Sequence, residues 1–572
     1  MRHRFPACRL AAMSLVALGL VCACASASGQ GMASMPERRA RHAQREFEYL
    51  RRALLPSVPA RSGGCDVTIG DMCYWDDNDD APLPPERPRV AVARDQLRAS
   101  LDSLGAIDSM NDYILGQRVR YAVEAHDNAG AAAAVRHCAA TRWWCEALRG
   151  LAAHRAGAES ASAGAFDSAL AEMPDTMRCS WLDVRLWLPS GTHVGRRHDT
   201  DCEERAAVSA RVFWMAAPLL TWRRHAARDE YLSRRTWAKL LEGTVNPQYS
   251  SWRWDSEELL FRFGWPDQWA RAEPVIGSMK FLDATVVGDE PRPSFSVVPD
   301  RRALESPFTA NTGDWRLSGD RDASMRYAPG WLRSIDSLPV QIARFRRPND
   351  SMVVVAVYDG RTLLDSGSTT FVAAASLSAG LESDSTLALG AATSVPAGAI
   401  VLDAPARPVL ASVEVFDSVG GRAARWRAGV APLPSTAVMS DLLVGRAGPG
   451  FAPASADSAA RIAMPRFVAT VRDTLALYWE TYLRPAPGVR PRVTVRLTRS
   501  AGVLGRVGRA LGLSHAQSGP AVSWEDGQPD SIPGRSLRFG LAGVPPGRYR
   551  IEVSVETPRA RGAAAREIDV VE

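Results

Sequence analysis

Apolar and polar positions divide this 572-residue chain into a helical first half and a β-rich second half. From about residue 91 to 205, Ala-rich stretches alternate with short polar breaks, which predicts paired antiparallel helices, and the helical pattern continues over 203–245. From about residue 290 onward, runs of β-branched residues predict strands, such as Met352 to Tyr358 and Ala411 to Phe416. The pattern therefore predicts a multidomain protein in which α precedes β.

The first apolar stretch has the layout of an export signal. Arg2, Arg4 and Arg9 precede about a dozen apolar residues from Leu10 to Val21, a stretch too short to span a bilayer as a helix. No later stretch approaches eighteen consecutive apolar residues. We therefore expect residues 1–24 to be a signal peptide and the mature chain to be exported, either to the periplasm or as an outer-membrane-anchored lipoprotein.

The small residues after the signal allow two kinds of processing. Ala23 to Ala25 and Ala25 to Ala27 are both A-x-A sites for ordinary signal cleavage. The run from Val21 to Cys24 also resembles a bacterial lipobox, in which Cys24 would be the lipidated first residue of the mature chain. Cys22 departs from the usual lipobox pattern. Both processing routes are compatible with export.

Six cysteines follow the signal region, since three of the nine lie within it. An even number in an exported chain predicts disulfides. Six cysteines allow fifteen connectivities, and pairing of sequence neighbours is the simplest of them. A zinc site is the weaker alternative, because no C-x-x-C occurs and His137 lacks a second His at ligand spacing. The predicted pairs are Cys65 with Cys73, Cys138 with Cys145, and Cys179 with Cys202.

One stretch of the helical domain, 91–205, is similar to a single tetratricopeptide repeat (TPR). The stretch runs from Trp143 to Pro174, and the matching positions are Gly150, Gly157, Phe166, Ala169 and Pro174. The resemblance implies that Gly157 lies in the turn between two helices, which pack through Phe166 and Ala169. A solenoid this short could form an interface or serve as a scaffold. The preceding residues, 25–90, are expected to be a linker that contains the small Cys65 loop.

A second resemblance lies in the segment 206–290, at residues 251–267. The GWxTD-domain proteins of bacteria carry the pattern G-W-x-T-D, a short spacer and an apolar strand that ends R-F/Y-G-x-P-D. Ser251 and Trp254 replace the Gly and Thr of that pattern, and the run Glu258 to Gly264 is predicted to be its strand. The resemblance implies an exported or envelope protein with a helical N-terminal part and immunoglobulin-like domains after it, and it assigns no catalytic residue. The matching positions are Trp252, Asp255, Arg262, Phe263, Gly264, Pro266 and Asp267.

Two immunoglobulin-like β-sandwich domains are predicted after this segment, at 291–445 and 446–572. Gly420-Gly421 lies between two predicted strands and indicates a hairpin, and Gly445 to Pro453 is predicted to be a linker. Ser440 to Leu443 resembles the stretch that closes the sheet domain in GWxTD proteins. In the second domain, Tyr549 enters a late strand in the manner of a tyrosine corner. The segment Gly502–Leu513 is predicted to be an amphipathic insertion.

Composition and charge narrow the class of partner. A hydrophobic content of 46% and a charged content of 23% are typical of globular proteins, and the length suggests about three or four domains. The net charge of +6 is carried almost entirely by arginines that are scattered among acidic residues. A nucleic-acid-binding protein would instead concentrate them in a patch. We therefore expect no nucleic-acid partner.

The chain carries none of the short motifs of common catalytic sites. H-E-x-x-H, G-x-S-x-G and the P-loop pattern are all absent, so no catalytic residue, cofactor or metal site is predicted. Eleven of the seventeen tryptophans fall between Trp143 and Trp269. We expect them to fill the seams between helices, and the alternative is an exposed aromatic groove for sugars or protein partners. Numerous carboxylates also leave glycoside chemistry open.

Two hypotheses for function follow. The first is a non-enzymatic cell-envelope protein whose helical part and sandwiches bind or scaffold protein partners, with a lipid anchor if Cys24 is modified. The second is a hydrolase that acts on envelope polysaccharide or peptide through carboxylates near the tryptophans. Two carboxylates about 5 to 10 Å apart in a Trp-lined cleft would favour the hydrolase. Buried tryptophans would favour the scaffold.

Overall fold

The computed structural model describes residues 33–59, 67–69, 72–74, 83–188, 201–220, 226–248, 252, 254–272, 286–289, 296–315, 327–361, 371–380, 386–389, 396–448, 450, 452–483, 489–500, 520–527 and 533–572. Three predicted features lie outside these residues: the signal peptide with Cys24, Cys65, and the segment Gly502–Leu513. No helix among the described residues is long and apolar enough to cross a membrane.

Helices of the first region pair along the chain. They are α1 (Met35–Ala53), α2 (Pro88–Ile107), α3 (Asp112–Glu124), α4 (Asn128–Arg136), α5 (Arg142–Arg155), α6 (Glu159–Glu172), α7 (Asp175–Trp181), α8 (Cys202–Ala216) and α9 (Ala226–Leu241). α1 packs on α2, α3 on α4, and α5 on α6. The helical part of the predicted fold class is confirmed.

Helix α1 lies within the stretch predicted to be a linker, so that prediction is wrong for residues 35–53. Its buried residues recur at helical spacing on one face. Phe47 joins Leu97 and Leu101 in a common core, which makes α1 part of the helical region. The face escaped notice because it also contains charged residues. The buried residues of α1 are Ala40, Gln44, Phe47, Glu48 and Arg51.

The pair α5 and α6 packs closely around a short turn. Gly157 adopts a φ of 71° in the turn, a left-handed value that favours glycine. Phe166 and Ala169 are fully buried, and a Cβ on Gly150 would lie 2.7 Å from the Phe166 ring. Close packing between the two helices therefore depends on the missing side chain at Gly150.

The segment that resembles the GWxTD motif is helical where a strand was expected. Residues Trp254–Phe263 form α10, which corrects the prediction of a strand over Glu258–Gly264. Ser256, Leu260 and Phe263 are buried at spacings of four and three residues, the period of an α-helix rather than a strand. The short apolar run is compatible with a strand or a helix by sequence alone. The burial of residues at helical spacing shows that it is a helix.

A small sheet follows α10 and draws on the predicted linker. Strand β1 (Ser57–Val58) pairs in parallel with β4 (Gln268–Ala272), which pairs with β5 (Val286–Asp289). Near it, β2 (Val67–Ile69) and β3 (Met72–Tyr74) form an antiparallel hairpin inside the predicted cysteine loop. Residues on either side of the helical region are thus brought to one sheet.

The first β-sandwich packs a five-stranded sheet on a three-stranded sheet. Its strands are β6 (Ser334–Ser337), β7 (Val340–Arg347), β8 (Ser351–Asp359), β9 (Phe371–Ser378), β10 (Thr386–Leu389), β11 (Ala397–Pro405), β12 (Val409–Asp417) and β13 (Arg422–Val430). The sheet orders are β10-β9-β12-β13-β6 and β11-β8-β7. The predicted hairpin joins β12 to β13, with Gly421 at a φ of 64°.

The second sandwich has the same two sheets, except that its first two strands exchange places between them. Its strands are β14 (Leu443–Arg446), β15 (Val468–Thr470), β16 (Thr474–Glu480), β17 (Arg492–Arg499), β18 (Ala521–Glu525), β19 (Gly534–Gly540), β20 (Gly547–Glu556) and β21 (Arg561–Val571). The sheet orders are β15-β21-β20-β17-β18 and β14-β16-β19. In each domain a short strand runs parallel to the last strand, as β6 does to β13 and β15 to β21. Both domains are immunoglobulin-like sandwiches.

The boundary between the sandwiches falls earlier than expected. β14 begins at Leu443 and pairs with β16 of the second sandwich, so the predicted linker Gly445–Pro453 starts inside a strand. A short helix, α11 (Arg301–Glu305), precedes the first sandwich, and α12 (Ala456–Ala460) follows β14. The turn-forming residues of this stretch suggested a linker. Because β14 pairs with β16, the second sandwich begins earlier in the chain than these residues indicate.

The two sandwiches contact each other through their three-stranded sheets. Val354 and Ala356 of β8 face the core of the first sandwich, whereas Val353 and Val355 face the second sandwich. Ala459 of α12 and Tyr478 of β16 lie in that second cluster. Because both faces of β8 are covered, its sequence is a continuous apolar run rather than an alternating one.

Candidate functional site

A cluster of buried charges joins α1 to α3. Arg51 Nη2 lies 2.5 Å from Glu124 Oε2 and 3.1 Å from Glu48 Oε1. Arg120 is fully buried and contacts both carboxylates at 2.9 Å, and the Tyr121 hydroxyl donates to Glu48 at 2.7 Å. Helical spacing places each pair on one face: three residues separate Glu48 from Arg51, and four separate Arg120 from Glu124. Two cations and two anions thus balance inside the helical region.

The pKa values of the two carboxylates in this cluster are shifted in opposite directions. Burial raises the pKa of Glu48 above its usual value, although Arg51 and Arg120 oppose the shift. Burial would also raise the pKa of Glu124, but the same two guanidinium groups lower it to about 2. Glu48 Oε2 is buried without a hydrogen-bond partner among the described residues. Glu48 is therefore the member of the pair that holds a proton more readily.

A cavity of about 200 Å³ lies beside the cluster, and we call it the Arg51 cavity. Arg51 and Glu124 form one side, and Pro266, Asp267 and Trp269 form another. Asp267 is paired with Arg155 at 2.9 Å. Two residues of the predicted motif therefore meet the buried charges at one cavity.

The other motif residues are distributed around α10 rather than gathered at that cavity. Trp252 packs partly buried against the main helical core, and Arg262 pairs with Glu258 at 2.6 Å. Phe263 is buried against Ile69, and Gly264 adopts a φ of 92° after the helix. Asp255 lies in the first turn of α10. These five residues lie in or beside α10 and contribute mainly packing and local ion pairing.

The tryptophan-rich segment mostly fills the core, as expected. Trp187 and Trp214 are fully buried, and Trp237 stacks on Trp265 with ring centroids 5.4 Å apart. Among the described tryptophans of this segment Trp254 is the exception, since 60% of it is exposed. The buried tryptophans are Trp143, Trp144, Trp181, Trp187, Trp214, Trp237 and Trp269, and Trp222 lies outside the described residues. The buried rings fill seams between helices rather than line an exposed groove.

The cysteine predictions have mixed outcomes. Cys138 and Cys145 form a disulfide with a Cα–Cα distance of 5.8 Å, which confirms that pair. Cys179 and Cys202 are not bonded in the structure but lie within hydrogen-bond contact of each other, so their pairing stays a prediction. Cys73 lies in β3, and its predicted partner Cys65 lies outside the described residues.

A second group of buried charges fastens the helical region to the first sandwich. Arg427 of β13 donates to the carbonyl oxygens of Met215 and Ala217 at 2.5 and 2.6 Å, and to Glu414 at 2.7 Å. The Leu219 N–H donates to the same carboxylate at 3.0 Å. Burial would raise the pKa of Glu414, but Arg425 and Arg427 lower it to about 2. Charge and backbone contacts thus meet at one carboxylate.

Sequence reasoning missed this second group, although a signal for it existed. The hairpin register places Glu414 opposite Arg425 and Ser412 opposite Arg427. All four side chains lie on the face of the hairpin that is turned away from the sandwich core. Polar residues at alternating positions of both strands, with the Gly420-Gly421 turn as the register mark, would have placed them together.

A polar contact region also joins the two sandwiches. Arg344 forms a two-point ion pair with Asp441 at 2.6 and 3.0 Å, and Gln341 donates to the carbonyl oxygens of Val444 and Met464. Asp441 belongs to the stretch that resembles the end of the sheet domain in GWxTD proteins. That stretch therefore lies at the junction of the two sandwiches. No group of three metal-ligating side chains is found in the part of the chain that the structure describes.

Comparison with known proteins assigns neither a family nor a role to this chain. No protein family and no curated protein matches the sequence. Among solved structures, the chicken CNTN1 FN1-FN3 domains are similar at 11% identity, with a TM-score of 0.14, over 53% of this chain and 76% of that one. A Salmonella alpha-2-macroglobulin mutant is similar at 12% identity, with a TM-score of 0.15, over 45% of this chain and 17% of that one. This chain thus spans less than a fifth of the macroglobulin.

Proposed function

We propose that this protein is an exported bacterial cell-envelope protein that acts as a non-enzymatic binding or scaffolding module for protein partners. The carrying observation is that both domain junctions are packed and ion-paired. Glu414 and Arg427 fasten the helical region to the first sandwich, and Arg344 and Asp441 join the sandwiches. A chain fixed in this way holds its surfaces at constant separations, which suits a scaffold.

The resemblance to GWxTD-domain proteins and the TPR-like helix pair support the same proposal. Both point to a helical part that precedes immunoglobulin-like domains in an envelope protein. The sequence of the first 24 residues supplies the export step, with either cleavage or lipidation at Cys24. Membership of either family is part of the proposal.

Export and anchoring are tested together by expressing the full chain in a Gram-negative host. We expect the chain in the envelope fraction, with a mature N-terminus between Ala23 and Ser28 by mass spectrometry. Metabolic labelling with palmitate separates the two processing routes, with Cys24→Ala as the matched control. Label lost in that variant indicates a lipoprotein, and an unlabelled mature chain indicates ordinary cleavage. Recovery of the chain from the cytoplasm with residues 1–22 still attached would contradict export.

Partner binding is tested with the mature chain as bait in detergent-solubilised envelope. We expect a protein that is recovered in a saturable manner and competed by free mature chain, whereas an unrelated exported protein of similar charge recovers none. Recovery of no protein, together with binding to isolated cell-wall polymer, would overturn the scaffold proposal.

A hydrolase is the second candidate, and one observation favours it. Glu124 and Asp267 line the Arg51 cavity together with Trp269. The low pKa of Glu124 makes it a poor general acid, since such acids have raised pKa values. Incubation with cell-wall polymer, followed by measurement of new reducing ends or amines, decides between the candidates. Release by the native chain that is lost in Asp267→Asn would support the hydrolase.

A further inference from the structure

We propose that a cavity at the edge of the first sandwich is a binding site for a small anion attached to an apolar ring. The cavity has a volume of about 480 Å³, which lies within the usual range for small-ligand sites. Strands β6 and β13 form one wall, and the turn around Gly313 forms the other. We call it the Arg425 cavity. Its lining includes Thr312, Trp315, Asp336, Arg425, Trp426 and Arg427.

The two arginines of the Arg425 cavity share one directly paired carboxylate. Arg425 and Arg427 are both at least nine-tenths buried, and both pair with Glu414. Asp336 also lines the cavity, but no ion pair joins it to either arginine within the described residues. Because the two guanidinium groups share Glu414, an anion in the cavity would give Arg425 a directly bound counter-charge of its own.

Arg425 is the arginine with unused hydrogen-bonding capacity. Its Nε lies 2.9 Å from Glu414 Oε1, but the N–H is not aligned to donate, and Nε has no hydrogen-bond partner among the described residues. Its Nη2 makes a long bond of 3.5 Å to the other oxygen of Glu414. Arg427, by contrast, uses Nε, Nη1 and Nη2 in bonds of 2.5 to 2.9 Å. Because Nε is itself fully buried, an incoming anion would be bound by the terminal nitrogens of Arg425, whose one hydrogen bond among the described residues is the long bond from Nη2. Arg427 would add charge behind it.

Repulsion between the two guanidinium groups accompanies the contact of both arginines with Glu414. Burial and the neighbouring charge of Arg425 lower the pKa of Arg427 to about 9, although Glu414 raises it. A second anion would relieve that repulsion. It would also complete the hydrogen bonding of a guanidinium group that is suited to planar carboxylates and to phosphates.

The apolar part of the ligand is indicated by one tryptophan. Trp315 lies on the wall opposite β13, with the Arg427 guanidinium 5.8 Å from its ring centroid. The Trp426 side chain, by contrast, packs against the core of the first sandwich. Aromatic walls favour flat, apolar ligand groups. A carboxylate or phosphate carried by a ring would thus fill both the charged and the aromatic parts of the site.

The experiment uses three ring compounds that differ in charge and are alike in size. Binding of benzoate, phenyl phosphate and neutral benzamide to the full mature chain is measured by ligand-observed saturation-transfer NMR. We expect at least one of the two anions to bind about tenfold or more tightly than benzamide, with affinity that falls as salt is added. The stronger anion identifies the head group as carboxylate or phosphate. Equal binding of benzamide, or no binding of either anion, overturns the proposal.

Two variants assign the binding to this cavity. Arg425→Gln removes the charge and is expected to reduce anion binding about tenfold or more. Ser337→Trp fills the mouth of the cavity, leaves both arginines in place, and is expected to abolish binding even if Arg425→Gln fails to fold. Arg548→Gln, on an exposed strand of the second sandwich, is the matched control and is expected to bind as the native chain does. Unchanged anion binding in Ser337→Trp would rule out this site.

Discussion

The Leu219 N–H donates a hydrogen bond of 3.0 Å to the carboxylate of Glu414, 195 residues further along the chain. The Leu219 carbonyl oxygen accepts another, of 2.6 Å, from Ser376. Leu219 and Leu220 both have left-handed φ values, 50° and 54°, which are unfavourable for residues with a Cβ. The contacts to the sandwich hold this turn in place.

Removing the charge of Glu414 should destabilise this junction strongly. Glu414→Gln keeps the shape of the side chain but leaves Arg425 and Arg427 buried without a counter-charge, so we expect a loss of about 3 to 5 kcal/mol. Urea-induced unfolding followed by tryptophan fluorescence measures it. The control is Glu552→Gln, which breaks a more exposed pair with Arg550 and should change stability by no more than about 0.5 kcal/mol. Equal unfolding midpoints for the two variants would contradict the role of Glu414.

Asp229 should make the helical region less stable as the pH rises. It is 2% exposed, and burial raises its pKa to about 6 despite Arg228 and His154. The folded state therefore binds the proton more tightly than the unfolded state, whose pKa is about 3.9. Its contribution to the free energy of unfolding is complete below about pH 4 and is lost as the pH rises through about 6. The loss amounts to roughly 2 to 3 kcal/mol.

The substitution Asp229→Asn tests this sign. The amide cannot ionise, so we expect a higher unfolding midpoint than in the native chain near pH 7.5 and a small difference near pH 4. Asp102→Asn, which alters an exposed ion pair with Arg118, is the control and should show no such pH dependence. If the unfolding midpoint changes between these two pH values by the same amount in the native chain and in both variants, the pH dependence does not come from Asp229.

Replacement of two helical glycines by alanine should change the stability of the protein in opposite directions. A Cβ at Gly150 would lie 2.7 Å from the Phe166 ring, so Gly150→Ala should destabilise the α5–α6 pair by about 1 to 3 kcal/mol. A Cβ at Gly164 of α6 meets nothing within 4 Å, so Gly164→Ala should stabilise by about 0.5 to 1 kcal/mol. Thermal unfolding followed by circular dichroism compares the two. Destabilisation by Gly164→Ala would show that the helix pair is packed differently.

The hydroxyl of Tyr549 should stabilise the second sandwich. It donates at 2.8 Å to the Pro545 carbonyl oxygen, the contact expected of a tyrosine corner. Tyr549→Phe removes that bond and should cost about 1 kcal/mol. Tyr49→Phe, on a side chain that is 65% exposed, is the control and should be neutral. If Tyr549→Phe has the same thermal unfolding midpoint as the native chain, the tyrosine corner does not contribute to stability.

The parts of the fold that the sequence predicted are those encoded by local pattern. The run Met352 to Tyr358 forms β8 because β-branched residues suit a strand that is covered on both sides. Gly420-Gly421 turns the chain because Gly421 adopts a left-handed conformation. The order of helices followed by sandwiches follows from these local signals.

The parts that it missed depend on tertiary packing. The stretch that forms α1 is helix-compatible by sequence, but its packing was missed because its buried face includes Glu48 and Arg51, whose burial is stabilised by partners on α3. The strand predicted over Glu258–Gly264 is a helix because Leu260 and Phe263 pack on one side. The Arg425 cavity could not be anticipated, since the Thr312–Trp315 turn meets β13 only in the folded chain.

The order of contacts along the molecule has a mechanical consequence. The helical region covers the outer face of the five-stranded sheet of the first sandwich, where Leu410 and Phe416 join the helical core. The three-stranded sheet on its other side meets the second sandwich through Val355 and Tyr478. Among the described residues these layers contact one another in series, so a tensile load between the helices and the last sheet passes through every interface. The weakest junction then sets the force at which the chain yields.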